Sequence, residues 1–301
     1  MELRTGARVF EITTGADGRA TGARYFDADG TVQFQPARAV ILAANGIGTP
    51  RLMLLSASEG HPRGLANSSG LVGRNLMFHP CAIITGFFDD GIAPTWQGPL
   101  GNILLSQEFY ETDPSRGFVR GYTYQMNRST GPAKTAAGFT LPPVRWGAEH
   151  HADFAMRFGN STLLAAHGED LPEAHNRVEL DPVLTDSHGI AAPKIFYKLS
   201  ENSERQMAHA VANGERVMRA AGAHTVMSTP LLRSAGWHLM GTARMGDDPE
   251  TSVVDRDLQA HDVPGLYVAD GSVFVTSAGV NPTSTIAALA SRLAAHLAAA
   301  A

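Results

Sequence analysis

The amino-acid sequence predicts an α/β protein in which both ends of the chain contribute to a parallel-sheet domain, with an α+β domain built on an antiparallel sheet between them. Three stretches carry this reading. Ala39-Val-Ile-Leu-Ala43 is apolar without alternation, as expected of a strand buried on both faces, and it runs into the small-residue turn Asn45-Gly-Ile-Gly48. Leu266-Tyr-Val-Ala269 is a second buried strand, opened by Pro264-Gly265 and closed by Asp270-Gly271; in doubly wound folds, ligands lie beyond such strand ends. Asn176-Arg-Val-Glu-Leu-Asp-Pro182 alternates and stops at a turn, which fits a strand in the floor of an antiparallel sheet.

The elements follow from the N-terminus. Arg8–Ile12, Gly22–Phe26 and Thr31–Phe34 alternate and are separated by Asp17-Gly18 and Asp29-Gly30, giving three short antiparallel strands. After the Asn45–Gly48 turn, Thr49 is placed to cap a helix and Pro50 suits its first position, before Arg51-Leu-Met-Leu-Leu55. Residues 82–170 are irregular, with Phe87, Phe88, Trp96, Phe109, Tyr110, Tyr122, Tyr124 and Trp146 scattered among glycines and prolines. No site follows from them; core and loop packing is the preferred reading, and stacking in a sugar-sized pocket is the other. Ser200–Ala221 places Met207, Val211, Val217, Met218 and Ala221 among polar residues, which predicts an amphipathic helix.

The 301 residues, 44% hydrophobic and 18% charged, suffice for one large or two ordinary cores. A net charge of -5 without a Lys/Arg run indicates neither a nucleic-acid groove nor an anionic membrane surface. The single cysteine, Cys81, excludes an internal disulfide framework, and the adjacent His150-His151 pair has no second metal-spaced partner, so no metal site is expected. No stretch approaches the roughly 20 apolar residues that span a bilayer, and the first residues lack a secretory layout. A cytoplasmic location is expected, or a periplasmic one if the chain is exported with a partner.

The last quarter of the chain carries the chemistry. It contains Trp237-His238-Leu-Met-Gly241-Thr242, then Asp270-Gly271, then Asn281-Pro282-Thr283-Ser-Thr-Ile286. A neutral imidazole is suited to take a hydroxyl proton near neutral pH, which makes His238 the candidate base, the other reading being a structural histidine. The Asn281 amide can donate to an oxygen that gains negative charge. It also reads as a plain helix-opening residue, with Thr283 capping and Ile286, Leu289, Leu293 and Leu297 on one stripe; the two readings are compatible.

These motifs resemble the C-terminal part of the glucose-methanol-choline (GMC) family of flavin-dependent alcohol oxidoreductases, whose active-site histidine lies in His-x-x-Gly-Thr and whose second polar residue opens an Asn-Pro-x-x-Thr-Ile helix. The turn at residues 45–48 resembles the family's second signature region, and Gly73-Arg-Asn75-Leu-Met-Phe-His79-Pro80 its Gly-x-Asn-Leu-x-x-His crossing between domains. His79 is read there as ordering a loop before proline, with a substrate contact as the other reading. The resemblance implies a partial FAD-binding, Rossmann-like domain from residues 1–75 and 264–301 and a substrate-binding domain from 76–263. It implies FAD as cofactor, with Val9 near the adenine and Asp270 and Gly271 near the ribityl and diphosphate. Asn45, Trp237, Asn281, Pro282 and Thr283 are the other expected cofactor-binding residues, Asn45 in a turn open to a phosphate or a flavin and Trp237 walling the pocket. The helix opened at Asn281 would point its positive end at the pyrimidine ring, where reduced flavin gathers charge.

His238 with Asn281, rather than two histidines, resembles the branch that includes pyranose and glycoside oxidoreductases and cholesterol oxidases but also many aliphatic alcohol enzymes, so the expected substrate is a small alcohol, with a sugar or glycoside hydroxyl preferred. The chain contains no Gly-x-Gly-x-x-Gly, the turn that holds a dinucleotide diphosphate. The expectation is therefore a hetero-oligomer or a longer parent chain in which another segment carries that turn. A flavin-free binding or assembly subunit that keeps the fold is the rival reading.

Overall fold

The computed structural model describes residues 2–89, 103–127, 131–137, 143–236 and 238–299. Trp96 and Trp237 lie outside the described residues. Strands β1 (Arg8–Thr14), β2 (Ala20–Phe26) and β3 (Val32–Pro36) form the expected antiparallel sheet in chain order. Strand β4 (Val40–Leu42) leads into helix α1 (Asn45–Leu55).

The middle of the chain supplies β5 (Cys81–Phe87), β6 (Leu104–Ser106), β7 (Tyr122–Asn127), helices α2 (Pro132–Ala136) and α3 (His150–Arg157), and β8 (Ser161–Gly168). A hairpin of β9 (Arg177–Thr185) and β10 (Ala191–Phe196) follows, then helix α4 (Glu201–Ala220) and β11 (Thr225–Thr229). The chain returns through β12 (Leu266–Val268) to helix α5 (Thr283–Ala299). Among the described residues no helix is long and apolar enough to cross a membrane.

Strands β4 and β12 pair in parallel, Val40 against Leu266 and Leu42 against Val268, so the two ends of the chain do share a sheet. Strand β12 is fully buried, but Ile41 is 48% exposed, which corrects the expectation that β4 is buried on both faces. Among the described residues no strand pairs with the other edge of β4, and its outer side therefore stays open. The helix after it also differs from the sequence reading: α1 starts at Asn45, not after Thr49, and Pro50 lies inside it.

The antiparallel floor is a five-stranded sheet in the order β11-β5-β8-β7-β6. The stretch Asn176–Pro182 is not part of it; as β9 it pairs with β10, and its start bridges Arg74 through Arg177. Arg51 on α1 holds that hairpin through Asp186 at 2.9 Å and the Ala191 carbonyl at 2.8 Å, and Arg8 reaches Asp186 at 2.8 Å. Helix α4 forms as the sequence predicts, with the Ser200 hydroxyl accepting from the Ser203 N–H at its start. It lies on one face of the sheet, where Met207, Ala210 and Met218 pack with Ala82, Ile84 and Leu164. A small cluster of Cys81, Ile83, Ala165 and Ala235 covers the other face. Every residue of β5 is consequently buried and the strand does not alternate in polarity.

Candidate active site

Asp270 lies two residues beyond β12 and is the joint between the two chain ends. One carboxylate oxygen accepts from the Asn45 N–H at 3.0 Å and the Thr49 hydroxyl at 2.6 Å, and the other from the Ser272 N–H at 2.8 Å and the Ser272 hydroxyl at 2.5 Å. Four protein donors thus occupy the carboxylate, which binds α1 to the 3-10 turn Gly271–Val273 rather than standing free toward a ribityl chain. Asn45, with φ 66°, turns its side-chain oxygen back onto the N–H groups of Ile47 and Gly48. Thr49 does not cap the helix from outside: its oxygen accepts from the Ala44 N–H at 3.1 Å. Pro50 lacks an N–H, so the Gly46 carbonyl, its i−4 partner, loses a helical bond; the Thr242 hydroxyl supplies the replacement at 2.8 Å. A side chain on Gly46 would strike the Leu239 backbone at 2.6 Å, so α1 lies directly on the loop that carries His238.

That loop is held from three sides. Gly241, Ala243 and Met245 donate to the carbonyls of Gly271, Ser272 and Val273. Gly241 has φ 91°, and a Cβ there would lie 2.2 Å from the Asn75 carbonyl, so glycine is required. Met77 and Met240 exchange both backbone hydrogen bonds, at 3.0 and 3.1 Å, as an isolated antiparallel bridge. His79 lies two residues beyond Met77 and His238 two residues before Met240, so that register sets the two imidazoles opposite each other. Their Nδ1 atoms are 2.8 Å apart. His238 has φ 65°, an uncommon backbone for a non-glycine residue.

His79 is buried, and its Nε2 lies 3.2 Å from the Ser277 carbonyl. Burial pushes its imidazole down to about 4; the neighbouring His238 and His167 add to the fall, against the Ser277 and Ala278 carbonyls. His167, opposite Cys81 in the sheet, is pushed to about 4 by burial and then by His238. Burial also lowers the pKa of His238. All three rings are therefore neutral at neutral pH. Beyond the reading of His79 as a loop-ordering histidine, its ring contacts the candidate base.

Asn281 precedes α5, and its side-chain oxygen accepts from Gln125 Nε2 at 3.1 Å. The turn before it is seated on the sheet: the Thr123 hydroxyl donates to the Gly279 carbonyl at 2.6 Å, and a Cβ on Gly279 would meet Tyr122 and the Gly121 and His167 carbonyls within 3.4 Å. Thr123 pairs with His167 across β7 and β8, so Asn281 and the three histidines converge at one end of the sheet. The Pro282 carbonyl accepts from Ile286, making Pro282 the cap position and Thr283 the first helical residue rather than a cap. Thr283, Ser284 and Thr285 are exposed, and their N–H groups have no acceptor among the described residues. Val9 pairs with Tyr25 in the outer sheet and has no hydrogen bond to this group among the described residues.

Family models described as GMC oxidoreductase match residues 1–81 and 172–290, which together bracket the histidine loop, the Asp270 joint and the start of α5. The chain belongs to the GMC oxidoreductase family. This GMC chain is 44% identical over 294 residues to the 2-methyl-1,2-propanediol dehydrogenase of Mycolicibacterium austroafricanum, covering 97% of the chain and 53% of that protein. It is 32% identical to the fructose dehydrogenase large subunit of Gluconobacter japonicus, covering 96% of the chain and 52% of that protein. The fold matches an FAD-dependent oxidoreductase from Chaetomium thermophilum with TM-score 0.61 at 18% identity, over 96% of the chain and 60% of that protein's chain. The GMC chain thus spans about half the length of the relatives it matches.

FAD is the cofactor of the family, and the residues present fit one end of it. Unpaired helix N–H groups at Thr283–Thr285, a His238 ring nearby and the small exposed Ala43, Ala44 and Asn45 suit a flat, electron-accepting ring. Nothing in the sequence supplies the glycine turn for the diphosphate. His79, His167, Gln125, Thr123 and Ser277 complete the site, and of these only His79 stood in a motif. Strand pairing brings His167, Gln125 and Thr123 together, hydrogen bonds to Asp170 hold Ser277, and spacing in the sequence gives no sign of either.

Proposed function

We propose that this chain is the C-terminal part of a flavoprotein that oxidises an alcohol CH–OH group to a carbonyl. His238 Nε2 takes the hydroxyl proton, and the Asn281 amide N–H holds the same oxygen as its charge grows. FAD, when bound, supplies the acceptor for the hydride that leaves the substrate carbon. The observation that carries the reading is the setting of His238: it is neutral, held through Nδ1, and its Nε2 has no hydrogen-bond partner among the described residues. Gln125 supports it by occupying the Asn281 oxygen, which leaves the donor side of that amide for substrate. The names of the relatives support an alcohol or sugar hydroxyl. We take a sugar or glycoside hydroxyl as the preferred substrate; the 44% identity to a diol dehydrogenase favours a small aliphatic diol as the second reading. Comparing kcat/KM for a pyranose, a glycoside and a short diol on the flavin-loaded protein decides between them, and an inability to reduce the flavin with any of the three defeats the proposal.

The proposal includes a second segment, on a separate polypeptide or a longer parent chain, that brings the Gly-x-Gly-x-x-Gly turn. The open edge at Ile41 and the exposed alanines 287, 288, 294, 295 and 298 on the outer face of α5 are the surfaces it would cover. Oxidised-flavin absorption is expected only with that segment present. A monodisperse 301-residue chain binding FAD stoichiometrically by itself would rule it out.

A further inference from the structure

We infer that His79 is a positioning residue that selects the proton-accepting tautomer of His238, an inference that rests on His238 being the base. The protons follow from the partners, because a backbone carbonyl only accepts. The Ser277 carbonyl, 3.2 Å from His79 Nε2, therefore requires His79 to carry its proton on Nε2. His79 Nδ1 is then a lone pair, and the nitrogen 2.8 Å away, His238 Nδ1, must be the donor. A neutral imidazole has one N–H, so His238 Nε2 is left bare, on the side where a substrate hydroxyl has to deliver its proton.

The fixed end of this chain is well anchored. The Ser277 hydroxyl accepts from the Asp170 N–H at 2.8 Å and donates to the Asp170 carbonyl at 3.1 Å. The Asp170 carboxylate is itself held by the Tyr197 hydroxyl at 2.7 Å, the Ser203 hydroxyl at 3.2 Å and the N–H groups of Leu171 and Phe78. When His238 takes the substrate proton, its Nδ1–H stays on the His79 lone pair, and no proton moves beyond His238. A neutral acceptor in this place fixes the tautomer as a carboxylate would, without adding a charge that strengthens the base. His79 thus keeps the base neutral and correctly protonated in the resting state.

The test uses the flavin-loaded full protein with 15N-labelled histidine. The nitrogen spectrum of His238 is expected to show a protonated Nδ1 and a bare Nε2, with His79 showing the opposite tautomer. His79→Leu should leave His238 as a tautomer mixture and slow anaerobic flavin reduction by about 10- to 100-fold, with substrate affinity little changed. His79→Asn, whose side-chain oxygen stands where Nδ1 stood, should recover part of that rate. A wild-type spectrum with the His238 proton on Nε2 overturns the inference, and it does so even if the leucine variant fails to fold. So does a leucine variant that reduces flavin at the wild-type rate. Undiminished flavin reduction in His238→Ala would instead defeat the base assignment, leaving the tautomer to be judged by the spectrum alone.

Discussion

Asp270 and His238 both precede the contact of residues 241–245 with the turn 271–273 but do different work. The Asp270 carboxylate satisfies four donors from three residues, so its value is in the joint. In Asp270→Asn, an amide N–H₂ must face either the Asn45 and Thr49 donors or the Ser272 pair. Leaving buried donors unpaired costs about 1–3 kcal/mol, and a drop of that size in unfolding free energy is expected by denaturant titration. His238 carries little of the packing. His238→Ala should keep the fold and any bound flavin while slowing flavin reduction by about 10²–10⁴; stopped-flow reduction under anaerobic conditions reads this directly. Asn281→Ala should behave in the same way, losing rate and little stability, because its side chain is exposed and its bond to Gln125 is a single one. An equal loss of melting temperature with no kinetic change would make Asn281 only a helix-opening residue.

At the scale of elements, α1 is locked to the histidine loop by one hydroxyl. Pro50 deprives the Gly46 carbonyl of its helical donor and Thr242 replaces it. Thr242→Val keeps the shape and strands a buried carbonyl, so a loss of about 1–3 kcal/mol is expected. Pro50→Ala returns an N–H to that carbonyl, and the valine substitution should cost less in that background. A double-mutant cycle on unfolding free energies measures the difference, and strict additivity would show that the two groups do not share the carbonyl.

For the whole molecule, the buried histidines set a pH limit. His79 and His167 fall from the usual 6.5 to about 4 in the folded state, chiefly through burial. The unfolded chain then binds more protons than the folded one between those values, so stability is full above pH 6.5 and is lost as pH falls toward 4. The melting temperature should decline across that window, and His167→Leu should make the decline shallower. A melting temperature that is flat from pH 7 to 4.5 would contradict the burial of these rings.

Much of this was legible in the sequence because it depends on local chemistry. Apolar runs ending in small residues mark β4 and β12, turn pairs mark the hairpins of β1 to β3, and the spacing of apolar side chains marks α4. The His-x-x-Gly-Thr and Asn-Pro-Thr stretches named His238 and Asn281 for the same reason: special backbone and helix-opening positions demand particular residues close together in the chain. What tertiary structure alone decided is everything that depends on pairing between distant strands. A sheet covered on both faces erased the alternation that would have revealed β5. The Met77–Met240 bridge, and not any spacing, put His79 against His238. Pairing of β5, β7 and β8 likewise brought His167, Thr123 and Gln125 to the same end. Register between segments far apart in sequence is fixed by the packing of the whole core, so the sequence alone determined the candidate base and its helix, and the fold determined which neighbours hold them.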